Sequence, residues 1–507
     1  MMKYVITLIL FASISVHAQS TFQLGVGRSQ DPSDFAQTSD HGYIIGGNML
    51  DTVSGLSDVY SLVKIDSLGN GQWAGLYSDM GHDSYITSLF QSSDGNYVFS
   101  GYPDGLFTHD CIMAKVNSSG NLMWSTTFSL GGQYSAIPPH CLETTDGKYA
   151  IAVNLNAQFP SPSCIALIKL DPSGSIIWEY NYSDTINFLE CKAIATTRDN
   201  GFIITGAAYS QYCFLLRIDS TGHPMWYKQY HDFQGFAPGS SVKQTFDNGF
   251  IVTTSQYYSG PALIIKTDSV GDTLWTRVLS GPDYHTIKSV QQETDSSFIF
   301  AGGVGDYNNN AQQFFLVKMN GSGDTTWTKS YSIPSGHNLT GIKIDTTEDG
   351  GLITLCMNFI FPLLIKTDAN GNMQCNQSNS STTIEQHTIQ VLNGSLQIDS
   401  TQSQGGIGLY GVQFYPISSS ISCLSLSVGD EQNIQHNISI FPNPATEKIS
   451  IISDDEIESA TVFNIVGAPV LSSTKKNVID ISSLDAGIYF IRVKIVSGFY
   501  SMKFVKQ

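Results

Sequence analysis

Internal repetition restricts this chain more than any other feature. All six tryptophans fall at one place in a repeated unit: Trp73, Trp124, Trp178, Trp226, Trp275 and Trp327, at successive spacings of 51, 54, 48, 49 and 52 residues. A seventh unit ends 48 residues later at Cys375, where cysteine replaces tryptophan. Before each of these positions stands an Asp/Asn-x-x-Gly turn: DSLGN, NSSGN, DPSGS, DSTGH, DSVGD, NGSGD and DANGN. An apolar run precedes each turn and carries one basic residue at a fixed place: Lys64, Lys115, Lys169, Arg217, Lys266, Lys318 and Lys366. Earlier in each unit a second turn recurs at Asp40, Asp94, Asp146, Asp199, Asp247, Asp295 and Asp349. A fixed period of this size means that each unit is one supersecondary module, stacked on its neighbours to complete a core.

The segments between turns are short alternating or continuous apolar runs rich in Ile, Val, Tyr and Phe, which read as strands. Asp with Gly is what a tight hairpin needs, because glycine accepts positive φ and Asp bonds its own backbone. A unit of about 50 residues with four strands has the size of one propeller blade. The expected fold is therefore all-β, a seven-bladed β-propeller. Unit seven stops at its third strand, while TFQLGVG at residues 21–27 precedes the first complete unit in the place of a tryptophan strand. That segment is expected to complete the seventh blade and close the ring, which removes an exposed sheet edge. Residues 21–375 resemble secreted bacterial propellers with DGGY and KxDxxGxxxW signatures, a likeness that implies a fold and not a function.

The N-terminus reads as a secretory signal peptide: Lys3, an apolar run from Tyr4 to Val16, and a small residue at Ala18 before Gln19, the expected cleavage point. No later stretch approaches the length of about eighteen apolar residues that a membrane helix needs, so no transmembrane segment is expected. The chain carries 43 acidic against 25 basic residues, a net charge of −18, which argues against nucleic acid or anionic lipid as a general partner. Loss of Lys3 takes the charge to −19. Eight cysteines include no CxxC pair and no histidine at zinc spacing, so no metal site and no cofactor is expected. Those at repeated positions, Cys111, Cys164 and Cys213 and then Cys141 and Cys191, read as packing.

Beyond the ring, residues 376–430 read as a β-rich extension and linker. HTIQVLNGSLQID suggests a hairpin around Asn393-Gly394, IGLYGVQFYPI and SISCLSLSV two further strands, and Cys375 with Cys423 a tie back to the ring. Residues 431–507 carry short alternating strands split by Pro, Asn and Gly, enough for a small Ig-like β-sandwich. Their pattern closely resembles the type A C-terminal sorting domain of the type IX secretion system. The matching positions are Phe441, Pro442, Asn443, Pro444 and Ala445, then Gly467, Leu484, Gly487, Ile488 and Tyr489, and finally Lys503, Phe504 and Lys506; Phe441 departs from the usual Tyr. The resemblance implies export through the periplasm by the type IX machinery to the outer-membrane surface or beyond. It also implies removal of the domain, with release or lipopolysaccharide attachment of the remainder. The organisation expected is signal peptide 1–18, propeller 19–375, extension 376–430 and sorting domain 431–507.

Chemistry is sparse. The chain has no G-x-S-x-G elbow, phosphate loop or H-E-x-x-H motif. The Asp-x-x-Gly turns lack the clustered carboxylates of a calcium loop, and the tryptophans read as inter-blade packing. Asp83, Asp184, Asp232 and Asp283 recur near strand starts, where a structural role outweighs glycoside cleavage. Both hairpin turns of every blade fall on one face and are nearly uniform, whereas the connections on the other face vary. These hold His82, His109, His140, Tyr209, Tyr212, His231, Tyr257, Tyr258, Tyr284, His285, Tyr307 and His337 in or beside them. Variable loops on a rigid scaffold are where binding usually sits, and Tyr gives contact area at low entropic cost. The favoured reading is a non-catalytic secreted or surface-displayed propeller that binds an extracellular glycan or protein. The alternatives are a polysaccharide hydrolase or lyase, and a purely structural surface protein.

Overall fold

The computed structural model describes residues 21–25, 30–50, 58–78, 83–104, 110–129, 135–156, 163–184, 188–208, 212–231, 238–254, 262–280, 284–306, 311–331, 340–357, 363–373, 377–379, 383–386, 389–393, 396–399, 404–406, 410–415, 418–421, 439–453, 457–463, 469–474, 477–495 and 498–507. Among these every regular element is a strand, and no helix is long and apolar enough to cross a membrane. The chain divides into two compact units, residues 1–426 and 427–507.

The first unit is a seven-bladed propeller of antiparallel sheets. The innermost strands are Gln30–Gln37, Asp83–Gln91, Ser135–Glu143, Leu189–Thr196, Gly239–Gln244, Tyr284–Gln292 and Thr340–Thr346. Each touches the innermost strand of the next blade, and the seventh touches the first, so the ring is closed. Thr21–Gly25 pairs with Leu363–Thr367 through Thr21↔Ile365 and Gln23↔Leu363 and serves as the fourth strand of blade seven. The ring is thus fastened by joining the two ends of the repeat region in one sheet.

The core lies between blades. One cluster combines Tyr60, Leu62 and Tyr77 of blade one with Ile86, Leu89 and Phe99 of blade two. Another joins Phe35, Ile45 and Val63 of blade one to Ile353, Leu355 and Leu364 of blade seven. Because each sheet is covered on both faces, its middle strands are buried almost without alternation, as in Asp58–Ile65 and Phe202–Ala208.

Every blade has five strands and not the four expected. The fifth comes from the extension, which circles the ring against the chain direction and adds one strand to each outer edge. Gln377–Asn379 joins blade six, Thr383–Gln386 blade five, Gln390–Asn393 blade four and Leu396–Asp399 blade three. Gln404–Gly406 then joins blade two, Tyr410–Tyr415 blade one and Ser418–Ile421 the clasping strand of blade seven. This belt corrects the expected hairpin around Asn393-Gly394. The two flanking strands do not pair with each other, because the open edges at Pro224–His231 and Ile176–Asp184 supply a partner for each. Strands this short also leave no long free edge outside the belt, which protects it from pairing with other chains. Cys375 and Cys423 lie outside the described residues.

The second unit is a sandwich. Ser439–Phe441, Lys448–Ile452 and Val478–Asp480 form one sheet; Ile457–Phe463, Pro469–Thr474, Gly487–Ile495 and Gly498–Lys506 form the other. Ile449, Ile451, Val462, Ile491, Val493 and Phe504 fill the space between them.

Candidate functional site

The repeat explains itself as a set of locks. In each blade the third-strand cation reaches an acid at the first turn: Lys64 to Asp40 at 2.9 Å, Lys115 to Asp94 at 2.5 Å, Lys169 to Asp146 at 3.4 Å and Arg217 to Asp199 at 2.5 Å. Lys266 reaches Asp247 at 2.8 Å and Lys366 Asp349 at 2.6 Å, while Lys318 uses Glu293 at 2.5 Å, an acid that stands where Thr245 and Thr347 stand in blades five and seven. The seven cations therefore hold turns and are not an anion site. The glycine of each second turn has positive φ, and at Gly174, Gly222, Gly271, Gly323 and Gly371 the preceding blade's tryptophan lies against it: a Cβ on Gly174 would sit 2.8 Å from Trp124, and one on Gly371 2.7 Å from Trp327. Trp73, Trp124 and Trp275 also donate their indole N–H to the next blade's turn, at 3.0, 3.1 and 3.2 Å. Tyr77, Tyr182, Tyr230 and Tyr331, four residues after a tryptophan, donate their hydroxyls to Gly120, Gly222, Gly271 and Gly371. The W-x-x-x-Y spacing was readable in the sequence.

This end of the ring is thus built on one plan in all seven blades, with the cation of each blade holding its own turn. The antiparallel order puts the second-to-third connections and the blade-to-blade connections at the opposite end. Of the residues singled out for that end, His82, His109, Tyr209, Tyr257, Tyr258, Tyr307 and His337 lie outside the described residues. Tyr212 and His231 meet at the loop end of blade four, with rings stacked at 3.7 Å and 8° apart, and burial pushes the His231 imidazole down. His285 is buried, with Phe315 edge-on at 6.0 Å, so it forms part of the packing of blade six. Tyr284 begins the innermost strand of that blade. His140 lies on the innermost strand of blade three, where burial and then the charge of Lys192 push its imidazole down to about 4. Asp83 accepts the Asp58 N–H at 2.8 Å, and Asp184 is buried, accepting from Tyr227 at 2.9 Å and Gln229 at 2.7 Å. Both carboxylates are in scaffold bonds; Asp232 and Asp283 lie outside the described residues.

Sequence reasoning missed the lining of the channel. All seven innermost strands break register at the same level: after Pro32, Ile86, Ile137, Cys191, Gly239, Ile287 and Gly341. A bulge leaves its extra residue unpaired and re-aims it, here at the free edge of the strand that faces the ring axis. Ser33, Thr87, Lys192, Ser240, Lys288 and Ile342 occupy that place, and His140 and Lys343 follow it directly. The available signal was the exception within the repeat: lysine in two units where others have serine, threonine, isoleucine or, in blade three, a proline pair.

In the second unit the motif residues hold the chain's last strand. The Asn443 side chain accepts the Val505 N–H at 3.0 Å, Ala445 N–H bonds Val505 O at 2.8 Å, and Gln507 N–H bonds Ala445 O at 2.9 Å. Tyr489 stacks on the buried Phe504 at 5.7 Å, Leu484 packs on the same core, and Phe441 is 67% exposed. Gly487 pairs with Lys506 and Lys503 with Phe490, while Gly467 lies outside the described residues, as do Ala18 and Gln19. The family model for the secretion system C-terminal sorting domain matches residues 439–507. This segment is a type IX sorting domain. It directs the protein through type IX secretion to the cell surface or extracellular space.

No curated protein matches the chain. Similar solved structures include PorZ, an essential bacterial surface component of the type-IX secretion system of Porphyromonas gingivalis, at 11% identity over 96% of this chain and 53% of that one, with a TM-score of 0.33. The chain thus spans about half the length of PorZ. A protein of unknown function from Dyadobacter fermentans matches at 10% identity over 60% of this chain and 95% of its own, with a TM-score of 0.38. The extracellular domain of a hybrid two-component system from B. thetaiotaomicron matches at 9% identity, 94% and 68% coverage, and a TM-score of 0.26. The sorting domain fixes the protein's address.

Proposed function

We propose that this protein is a non-catalytic propeller that captures an extracellular ligand, a glycan or a protein, on the loop-bearing end of its ring. One observation carries the reading: a cation holds an acid at the turn end of all seven blades, whereas the connections at the opposite end differ in length and sequence from blade to blade. Binding residues gather where a rigid scaffold presents variable connections. The stacked Tyr212–His231 pair shows aromatic surface at the rim of that end. Removal of the sorting domain would leave the belted ring as the working part, either released or attached to lipopolysaccharide.

The test is a glycan array and a surface-protein capture with the mature protein, repeated with Tyr257→Ala and Tyr258→Ala combined and with Tyr212→Ala. Capture of a defined ligand, lost in the loop variants while thermal stability holds, supports the reading. Full binding by these variants, with loss on changing Lys148 or Thr221 at the turn end, overturns it. Fractionation of cells for the mature ring, in the outer membrane or in the medium, decides between attachment and release.

A further inference from the structure

The protein is strongly acidic, yet the bulge level of its channel is basic in places. Lys192 of blade four and Lys288 of blade six are both bulge residues, and His140 of blade three and Lys343 of blade seven directly follow bulges. Lys243 of blade five lies two residues further on than the Lys343 position. The acids on these strands are spoken for. Asp34 holds Lys343 at 2.6 Å and also accepts the Leu89 N–H at 2.7 Å; Glu190 holds Lys192; Lys243 bonds Gln291 with Asp345 acting on it from blade seven. Among the described residues no acid or acceptor engages Lys288, although it sits on the strand nearest the axis.

Lys192 and Lys288 are two blades apart, so the repulsion between them acts across the channel and not along one wall. Lys288 is exposed, yet the protein crowded around its strand, and then the Lys192 charge, push its ammonium below the usual lysine range. The same Lys192 charge bears on the half-buried His140. Two ammonium groups and an imidazole at one level of the innermost strands, with one ammonium lacking a counter-charge among the described residues, are complementary to a small anion. An anion placed there would relieve the repulsion and draw a proton onto His140.

We propose that the channel binds an oxyanion, the carboxylate of a uronic acid or a sulfate ester, between Lys288 and Lys192 with His140 as a further donor. The site is independent of the loop residues, so its success or failure leaves the loop-end reading to its own test. Two probes, inorganic sulfate and oligogalacturonate, separate the two sources of the group.

The experiment is isothermal titration of each probe into the full mature protein in buffers of different ionisation enthalpy. The expected result is saturable 1:1 binding of at least one probe, with proton uptake that disappears in His140→Gln. Lys288→Met is expected to weaken binding by about tenfold or more, Lys288→Arg to retain it, and Lys148→Met to leave it unchanged. Lys288→Met should melt no lower than the unchanged protein without anion, because it removes an ammonium that Lys192 repels. Amine acetylation at neutral pH, read by mass spectrometry, should modify Lys288 early and be slowed by the bound probe. No saturable binding of either probe, or binding untouched by Lys288→Met, overturns the proposal.

Discussion

Removing Asp247 should destabilise the propeller more than removing its partner Lys266. The Lys266 ammonium bonds the two Asp247 carboxylate oxygens at 3.0 and 2.8 Å and the Thr267 carbonyl at 2.8 Å. Its side chain is 3% exposed, against 56% for Asp247. In Asp247→Ala the ammonium stays buried with only Thr267 as partner. Breaking a fully buried pair costs about 3–5 kcal/mol. Because the acid is half in water, solvent takes part of its place and the expected cost falls to about 2 kcal/mol. In Lys266→Met an unbranched apolar chain fills the same space, and Asp247 keeps the Thr245 hydroxyl and the Gly249 N–H at 3.0 Å. That change should cost about 1 kcal/mol or less. The double variant should then cost less than the two single changes together, with a coupling of about 1 kcal/mol. Urea unfolding followed by tryptophan emission suits the test, since all six tryptophans lie in the ring and none in the sorting domain. Equal costs for the two single variants, or strictly additive costs in the double, would refute the reasoning.

Further outcomes follow from the same geometry. Gly222 has φ of 93°, and a Cβ there would lie 2.5 Å from Tyr180, whereas Gly147 has φ of 70° with nothing within 4 Å. Gly222→Ala should therefore cost about 1–3 kcal/mol more than Gly147→Ala by urea unfolding, and equal costs would deny the inter-blade contact. Burial pushes the Asp40, Asp94 and Asp349 carboxyls up, but bonds from Thr38 and Lys64, from Lys115, and from Lys366 and Thr347 outweigh it and hold each at about 2. Carboxyls lowered on folding stabilise fully above about pH 4 and lose that contribution as pH falls towards 2. Melting temperature should fall mainly in that window, and a main loss above pH 5 would contradict it. Deleting residues 21–27 removes the strand that lies between Leu363–Thr367 and Ser418–Ile421, so the ring should open and aggregate; an unchanged monomer on sizing would count against this. Deleting residues 438–507 should leave a folded ring held in the periplasm, and its normal appearance outside the cell would defeat the assignment.

The blades were legible because their determinants are local and repeated. Each Asp-x-x-Gly turn announces a hairpin, and each tryptophan marks the next blade's contact. The belt was not legible. Its strands have three to six residues, and what makes Gln390–Asn393 and Leu396–Asp399 strands is the edge each meets in a distant blade. Asn393-Gly394 suggested a hairpin, but the strands on either side of it pair with distant blades. The acid partners of Lys64 and its equivalents follow from register across a hairpin, which spacing alone only suggests. Lys192 and Lys288 escaped notice because a bulge, invisible to period-two patterning, decides which way they point. His285 stood out by type and loop position, yet the edge of Phe315 makes it a core residue.

Hydrogen exchange on the mature protein with its captured ligand tests the central claim most directly. The account predicts slowed exchange in connections at the loop end, among residues 79–82, 105–109, 130–134, 157–162, 185–187, 209–211, 232–237, 255–261, 281–283, 307–310 and 332–339, with the turns at residues 66–70, 117–121 and 219–223 unchanged. Protection confined to those turns, with the connections unaffected, would contradict it.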